Sequence, residues 1–135
     1  MRNKLFSIAI LTFLGIFLLS FTSSLDQTTP WKVPEKYDKM ENPNEATAAS
    51  ITAGKKLYNL HCKSCHGKEG LGDGTKAAQL DTACGDFTDE VFTAQSDGAI
   101  FYKSKFGRDD MPSFEKKIQY DEDIWDIVNY IRTLE

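Results

Sequence analysis

The five residues Cys62-Lys63-Ser64-Cys65-His66 constrain this chain more than any other stretch. Two thiols three positions apart lie on one side of a single helical turn. There they can form thioether bonds to the two vinyl groups of one haem, and His66, the next residue, is placed to bind the iron from below the ring. The porphyrin dictates the spacing, because its vinyl groups are fixed and the iron lies between and beneath them. Two other chemistries use a Cys-x-x-Cys pair. A redox dithiol usually follows a strand in a thioredoxin-like setting, and no such setting surrounds Cys62. A closed zinc site takes about four ligands, and only His61, His66 and Cys84 remain to complete one. The odd cysteine count argues against a simple disulfide framework.

Scarcity also narrows the choice of a second axial ligand. His61 adjoins the attachment turn and is held on the wrong side to reach the far face, and there is no further histidine. The methionines beyond the N-terminal segment are Met40, in a Pro-containing stretch, and Met111, in a loop flanked by Phe106, Gly107 and Phe114. Pro112 restricts Met111 to extended backbone and limits the freedom of its loop. Met111 is therefore the candidate ligand, the alternative being a core methionine that fills a gap. An imidazole–thioether pair raises the reduction potential and leaves no open iron position, which favours electron transfer over catalysis at the iron.

The N-terminus begins with Arg2 and Lys4, continues through an apolar run from Leu5 to Leu19, and ends in Ser20-Phe21-Thr22-Ser23-Ser24. A charged start, a short apolar middle and small polar residues describe a secretory signal peptide over 1–24. An uncleaved membrane anchor is the competing reading, although the run is shorter than the roughly 20 apolar residues of a comfortable span. Either places the folded part outside the cytoplasm, in the periplasm or on the outer face of the cytoplasmic membrane. Residues 25–47, with Pro30, Pro34 and Pro43 among mixed charges, read as an extended linker or arm. The compact part is expected over 48–135.

Within it the periodicity is helical. A first helix is expected from Ala48 to Leu60, with Ile51, Leu57, Tyr58 and Leu60 near one apolar stripe. Gly67, Gly70, Gly72 and Gly74 mark a loop. Thr88 can cap a short helix through Ala94, and Ser96 a second from Asp97 to Phe106, which Gly107 would stop. Arg108 to Tyr120 is loop again. Asp121 then caps a last helix in which Ile124, Trp125, Ile127, Val128 and Ile131 recur at helical spacing. No strand pair is evident, so the fold class is all-α.

These pieces, in this order, resemble a bacterial class I c-type cytochrome. The resemblance runs from about Ala53 to Leu134 and rests on Gly54 to Tyr58, Cys62 to Gly67, Gly70 to Gly74, Asp86-Phe87, Asp97 to Tyr102, Met111 to Phe114 and Trp125 to Arg132. It implies a small cytochrome c-like domain, three main helices wrapped round one covalent haem c per chain. It also implies that the first and last helices cross, Gly54 and Tyr58 meeting Ile127 and Tyr130. The family often has proline just after Gly-Asp-Gly, and here that residue is Thr75, so which backbone carbonyl orients His66 is open. Cys84 has no family role.

The formal net charge of −4 gives no basic stripe of the kind nucleic-acid binding needs. Lys63, Lys68, Lys76, Lys103, Lys105, Arg108, Lys116 and Lys117 lie in the haem-bearing segments, and Asp121, Glu122, Asp123 and Asp126 at the start of the last helix. Such asymmetry could steer a redox partner, or it is an ordinary solvated mixed surface. The reading is a single-electron carrier, not an enzyme, working between a redox donor and acceptor that are membrane-associated. It touches the membrane itself only if the N-terminal segment is retained. The alternatives are a dedicated haem subunit of a larger oxidoreductase and, further off, a haem enzyme or gas sensor with a labile sixth ligand.

Overall fold

The computed structural model describes residues 30–134; the expected leader, 1–24, lies outside the described residues. Among them the helices are α1 (Glu35–Asp38), α2 (Ala48–His61), α3 (Lys63–His66), a 3-10 turn (Ala77–Gln79), α4 (Glu90–Thr93), α5 (Asp97–Phe106) and α6 (Asp121–Ile131). Extended pairing among these residues is confined to one isolated bridge, Arg108 to Met111. The fold is all-α, with α2, α5 and α6 as its main helices.

Local chemistry explains the helix ends. Thr47 caps α2 by accepting the Ser50 N–H at 3.2 Å, and Ser96 caps α5 by accepting from Ala99 N at 3.0 Å. Two expected caps shift by one residue. The cap of α4 is Asp89, which accepts from Val91 N, while Thr88 donates its N–H and its hydroxyl to Asp86, both at 2.7 Å. Helix α6 starts after Tyr120 with no side-chain cap, and Asp121 is its first helical residue. Asp121, Glu122 and Asp123 in that first turn favour the positive end of the helix dipole. Asp121 is also engaged elsewhere, accepting from Lys105 Nζ at 2.7 and 2.8 Å.

The core forms where α2 crosses α6. A side chain at Gly54 would begin 1.9 Å from the Asp126 carbonyl oxygen and 3.0 Å from Ile127 N, so only glycine lets the two backbones meet. One turn on, Tyr58 packs edge-on against Tyr130 with ring centres 5.2 Å apart. Trp125 stacks on Phe101 of α5 at 4.1 Å and 13°. Ile124, Ile127, Val128 and Ile131 are buried along the same side of α6, each burial contributing roughly 1.5–3 kcal/mol. Leu60 departs from the expected stripe of α2: it is 74 % exposed.

The stretch read as an arm is tied down from Lys32 onward, where the compact unit begins. Tyr37 packs on Tyr102 and Phe106 of α5 at 4.9 and 5.5 Å. Gly98 admits it, since a side chain there would meet the Tyr37 carbonyl oxygen at 1.9 Å. Asn42 and Asn44 then bond α6: Asn42 donates to Asn129 Oδ1 at 2.8 Å, and Asn44 to Asp126 Oδ1 at 2.8 Å. Asn129 returns a bond to the Asn44 carbonyl at 3.1 Å and another to Ser50 at 2.8 Å. Asn129 is the one buried polar residue of the core among the described residues, and its amide is satisfied.

Candidate functional site

Helix α2 delivers the Cys62–His66 segment without a break. Cys62 ends α2, donating to the Tyr58 carbonyl at 2.8 Å, and its own carbonyl accepts from Cys65 N and His66 N at 3.1 and 3.0 Å. Cys62, Cys65 and His66 therefore share one turn. Gly67 stops it at φ 82, ψ 174, a conformation open essentially to glycine alone. The Tyr58 hydroxyl donates to the Gly67 carbonyl at 2.8 Å, fastening the turn to the core.

The glycine loop that follows folds back and bonds the carbonyls of this turn. Lys76 N donates to Ser64 O at 2.8 Å, Gly74 N to Cys65 O at 3.1 Å and Gly72 N to His66 O at 3.0 Å. A side chain at Gly74 would begin 2.4 Å from Ser64 O, so this approach also requires glycine. The His66 ring lies 4.8 Å from Phe87, which stacks on Phe92 at 4.4 Å. Burial lowers the His66 pKa from 6.5 to about 4, which favours the neutral imidazole, the form that can bind a metal. Its Nδ1 is buried with no hydrogen-bond partner among the described residues. Burial first, and then Cys65, pushes the Cys62 thiol up to about 12. Cys84 is raised as well, by burial and then by Cys65 and Asp110, which makes Cys65 and Cys84 neighbours.

Met111 comes from a separate segment, the loop after α5. Gly107 ends α5 at φ 66, ψ 174, and a side chain there would meet Met111 O at 2.4 Å, Pro112 C at 2.5 Å and Ser113 N at 2.6 Å. Arg108 and Met111 pair through both backbone bonds, at 2.8 and 2.9 Å, across Asp109 and Asp110. Phe114 N, Glu115 N and the Ser113 hydroxyl all donate to Lys105 O, at 3.0, 3.0 and 2.9 Å. Phe114, three residues past Met111, packs on His61 at 5.6 Å and so brings this loop against the end of α2. Met111 is half-buried, whereas Met40 is exposed.

Three features here escaped the sequence reading: the Tyr58 hydroxyl bond, the nearness of Cys84 to Cys65, and a bond from Thr82 N to Asp110 Oδ2 at 2.8 Å. Each joins residues well separated along the chain, and none leaves a periodic trace. The lysine-rich character also needs amending. Lys68 pairs with Glu69, Lys105 with Asp121 and Arg108 with Asp109, at 3.0, 2.7 and 3.0 Å, so part of that positive charge is neutralised locally.

The donor set fits a covalently held haem: two thiols and an imidazole on one turn, the imidazole buried and left without a hydrogen-bond partner at Nδ1 among the described residues. Among the described residues no three His, Cys, Asp or Glu side chains are grouped to hold a metal ion by themselves, which leaves a closed zinc site without a ligand set there. A helical domain with crossing terminal helices and this turn defines a c-type cytochrome. The cytochrome c family model matches residues 51–135, and the chain belongs to the cytochrome c family. Haem c carrying iron and haem-based electron transfer follow from that membership. Among solved structures, the chain is similar to one from the Kuenenia stuttgartiensis reducing HAO-like protein complex Kustc0457/Kustc0458, with 31 % identity and a TM-score of 0.62. The match covers 77 % of this chain and 52 % of that one, so this chain spans about half the length of that relative. No curated protein is matched.

Proposed function

We propose that this protein is a single-electron carrier that holds one haem c through Cys62 and Cys65 and ligates its iron with His66 and Met111. The observation that carries the proposal is the turn itself, which brings both thiols together with a buried imidazole. When bound, the haem iron supplies a one-electron couple between its ferrous and ferric states. The protein's part is to hold the ligands still. Tyr58 and the glycine loop fix the backbone of the His66 turn, the stack of Phe87 on Phe92 walls the imidazole, and Gly107 with the Arg108–Met111 pair fixes the thioether's backbone. Fixed ligands keep the reorganisation that accompanies electron transfer small. The exported location is part of the proposal and rests on the signal-like segment 1–24.

A second reading has a specific support. The similar solved chain belongs to a protein complex by its title, which favours a dedicated haem subunit of a larger oxidoreductase as the alternative to a free carrier. In both readings the partners are redox proteins. Stable stoichiometric capture by one enzyme would select the subunit, and rapid exchange of electrons with separately purified donors would select the carrier.

Met111→Ala is the test of the ligand set. The haem should stay attached, the reduction potential should fall, and the ferrous iron should bind carbon monoxide. An unchanged potential would exclude Met111 as the ligand. Mass spectrometry of the exported protein, made with a working cytochrome-maturation apparatus, should show one covalent haem and reports leader removal in the same spectrum. Colourless material would end the proposal.

A further inference from the structure

The loop that carries Met111 is held at one more point than its own turn requires. Asp109 sits at φ 52, a region a non-glycine residue enters at some cost and keeps only where the surroundings over-determine it. Part of that determination is local, the two-way pairing of Arg108 with Met111. The rest is remote. Asp110 Oδ2 accepts the Thr82 N–H at 2.8 Å in a partly buried position, joining residues 28 apart. A carboxylate accepting a shielded backbone N–H is among the stronger hydrogen bonds a protein makes.

The far end of that bond is close to the other axial ligand. Thr82 lies two residues before Cys84, whose carbonyl oxygen would be 2.9 Å from a side chain begun at Gly72. Gly72 N in turn donates to the His66 carbonyl. A line of bonds and backbone contacts thus runs from Met111 through Asp110, Thr82, Cys84 and Gly72 to His66, and the Asp110–Thr82 bond is its only side-chain link.

Resting on the assignment of Met111 as an iron ligand, we infer that Asp110 is a positioning residue for it. Its carboxylate, bonded to the Thr82 N–H, latches the Met111 turn to the loop behind His66 and keeps the thioether from leaving the iron. The role is that of a hydrogen-bond acceptor, which asparagine can share and alanine cannot.

The test is an imidazole titration of the full-length ferric holoprotein, followed by absorbance, since imidazole must displace the thioether to bind. Asp110→Ala should bind imidazole about tenfold more tightly than the parent, the change expected from loss of one shielded charge-assisted bond. Asp110→Asn should stay within about threefold, because its amide oxygen can still accept. Parental affinity in Asp110→Ala, or an Asp110→Asn as open as Asp110→Ala, would overturn the latch. Met111→Ala keeps the two ideas apart. If it too bound imidazole with parental affinity, the ligand assignment would fail and the latch with it. If it bound far more tightly while Asp110→Ala did not, the latch alone would fail. Should Asp110→Ala not be recovered, hydrogen exchange in the ferrous parent decides: the Thr82 amide should be protected, and exchange at the rate of a free amide would overturn the inference.

Discussion

Two glycines frame the site, and they share a backbone conformation while meeting different surroundings. Gly67 closes the His66 turn at φ 82, ψ 174, and Gly107 opens the Met111 loop at φ 66, ψ 174. Behind Gly67 stands a side chain: an added methyl would lie 1.9 Å from Asp73 Oδ1, with the nearest backbone atom, Asp73 N, at 3.5 Å. Behind Gly107 the nearest atoms are backbone, those of Met111, Pro112 and Ser113 at 2.4–2.6 Å. The difference shows how each proposed ligand is held. His66 inherits its place from α2, from the Tyr58 hydroxyl and from the aromatic wall of Phe87. Met111 depends on its loop lying flush against the end of α5, and Gly107 is where that contact is made.

Gly107→Ala should therefore do the most damage. Forcing alanine into this conformation costs roughly 1–3 kcal/mol. The backbone overlap adds a similar overpacking cost that no rotamer change relieves, for about 4 kcal/mol together. The loss should fall on the Met111 side. Haem attachment should persist while the ferrous protein gains carbon monoxide binding. A variant with parental denaturant midpoint and a closed iron would show that the loop does not rest on Gly107.

Gly67→Ala carries the same conformational cost, but Asp73 can swing aside, so about 2 kcal/mol is expected. The potential should hardly move, because with Asp73 moved aside the Tyr58 hydroxyl can keep its bond to the residue 67 carbonyl and hold the His66 turn. Urea unfolding of both alanine variants reads the comparison directly. Equal losses would mean that conformation alone, and not what lies behind each glycine, sets the cost.

How much of this could be read beforehand differs in the same way between the two sides. Cys62, Cys65 and His66 are adjacent in sequence, and α6 repeats its apolar residues at helical spacing, so the turn, the last helix and the all-α class were evident from the sequence. The placement of 32–47 was not. Asn42 and Asn44 reach partners on α6 more than 75 residues away, and polar residues that bond one another leave no periodic mark. Tyr37 carried a weak signal as an aromatic among charges, and Gly98 none until the Tyr37 carbonyl was seen against it. Met111 stands out as the candidate because the methionines are few, yet the Asp110–Thr82 bond that ties its loop back leaves no trace in the sequence. The two displaced caps have different causes: Asp86, two residues away, takes both donors of Thr88, and Lys105 of α5 occupies Asp121.

The smallest effect tests the His66 side itself. Tyr58→Phe removes the donor to the Gly67 carbonyl and leaves a buried acceptor unsatisfied, at about 1–2 kcal/mol. Burial, before any neighbouring charge, holds the Tyr58 hydroxyl well above its usual pKa of 10.0. The folded chain thus keeps a proton that the unfolded chain releases as pH rises past 10.0, and by linkage the parent loses stability on the alkaline side of that value. Phenylalanine has no such proton to keep. The gap between parent and Tyr58→Phe should be constant below pH 9 and narrow progressively above pH 10, measured as denaturant midpoints of the ferrous holoproteins. A gap that stayed constant to pH 11 would mean that the hydroxyl is solvated and that the His66 turn is held by its glycine loop alone.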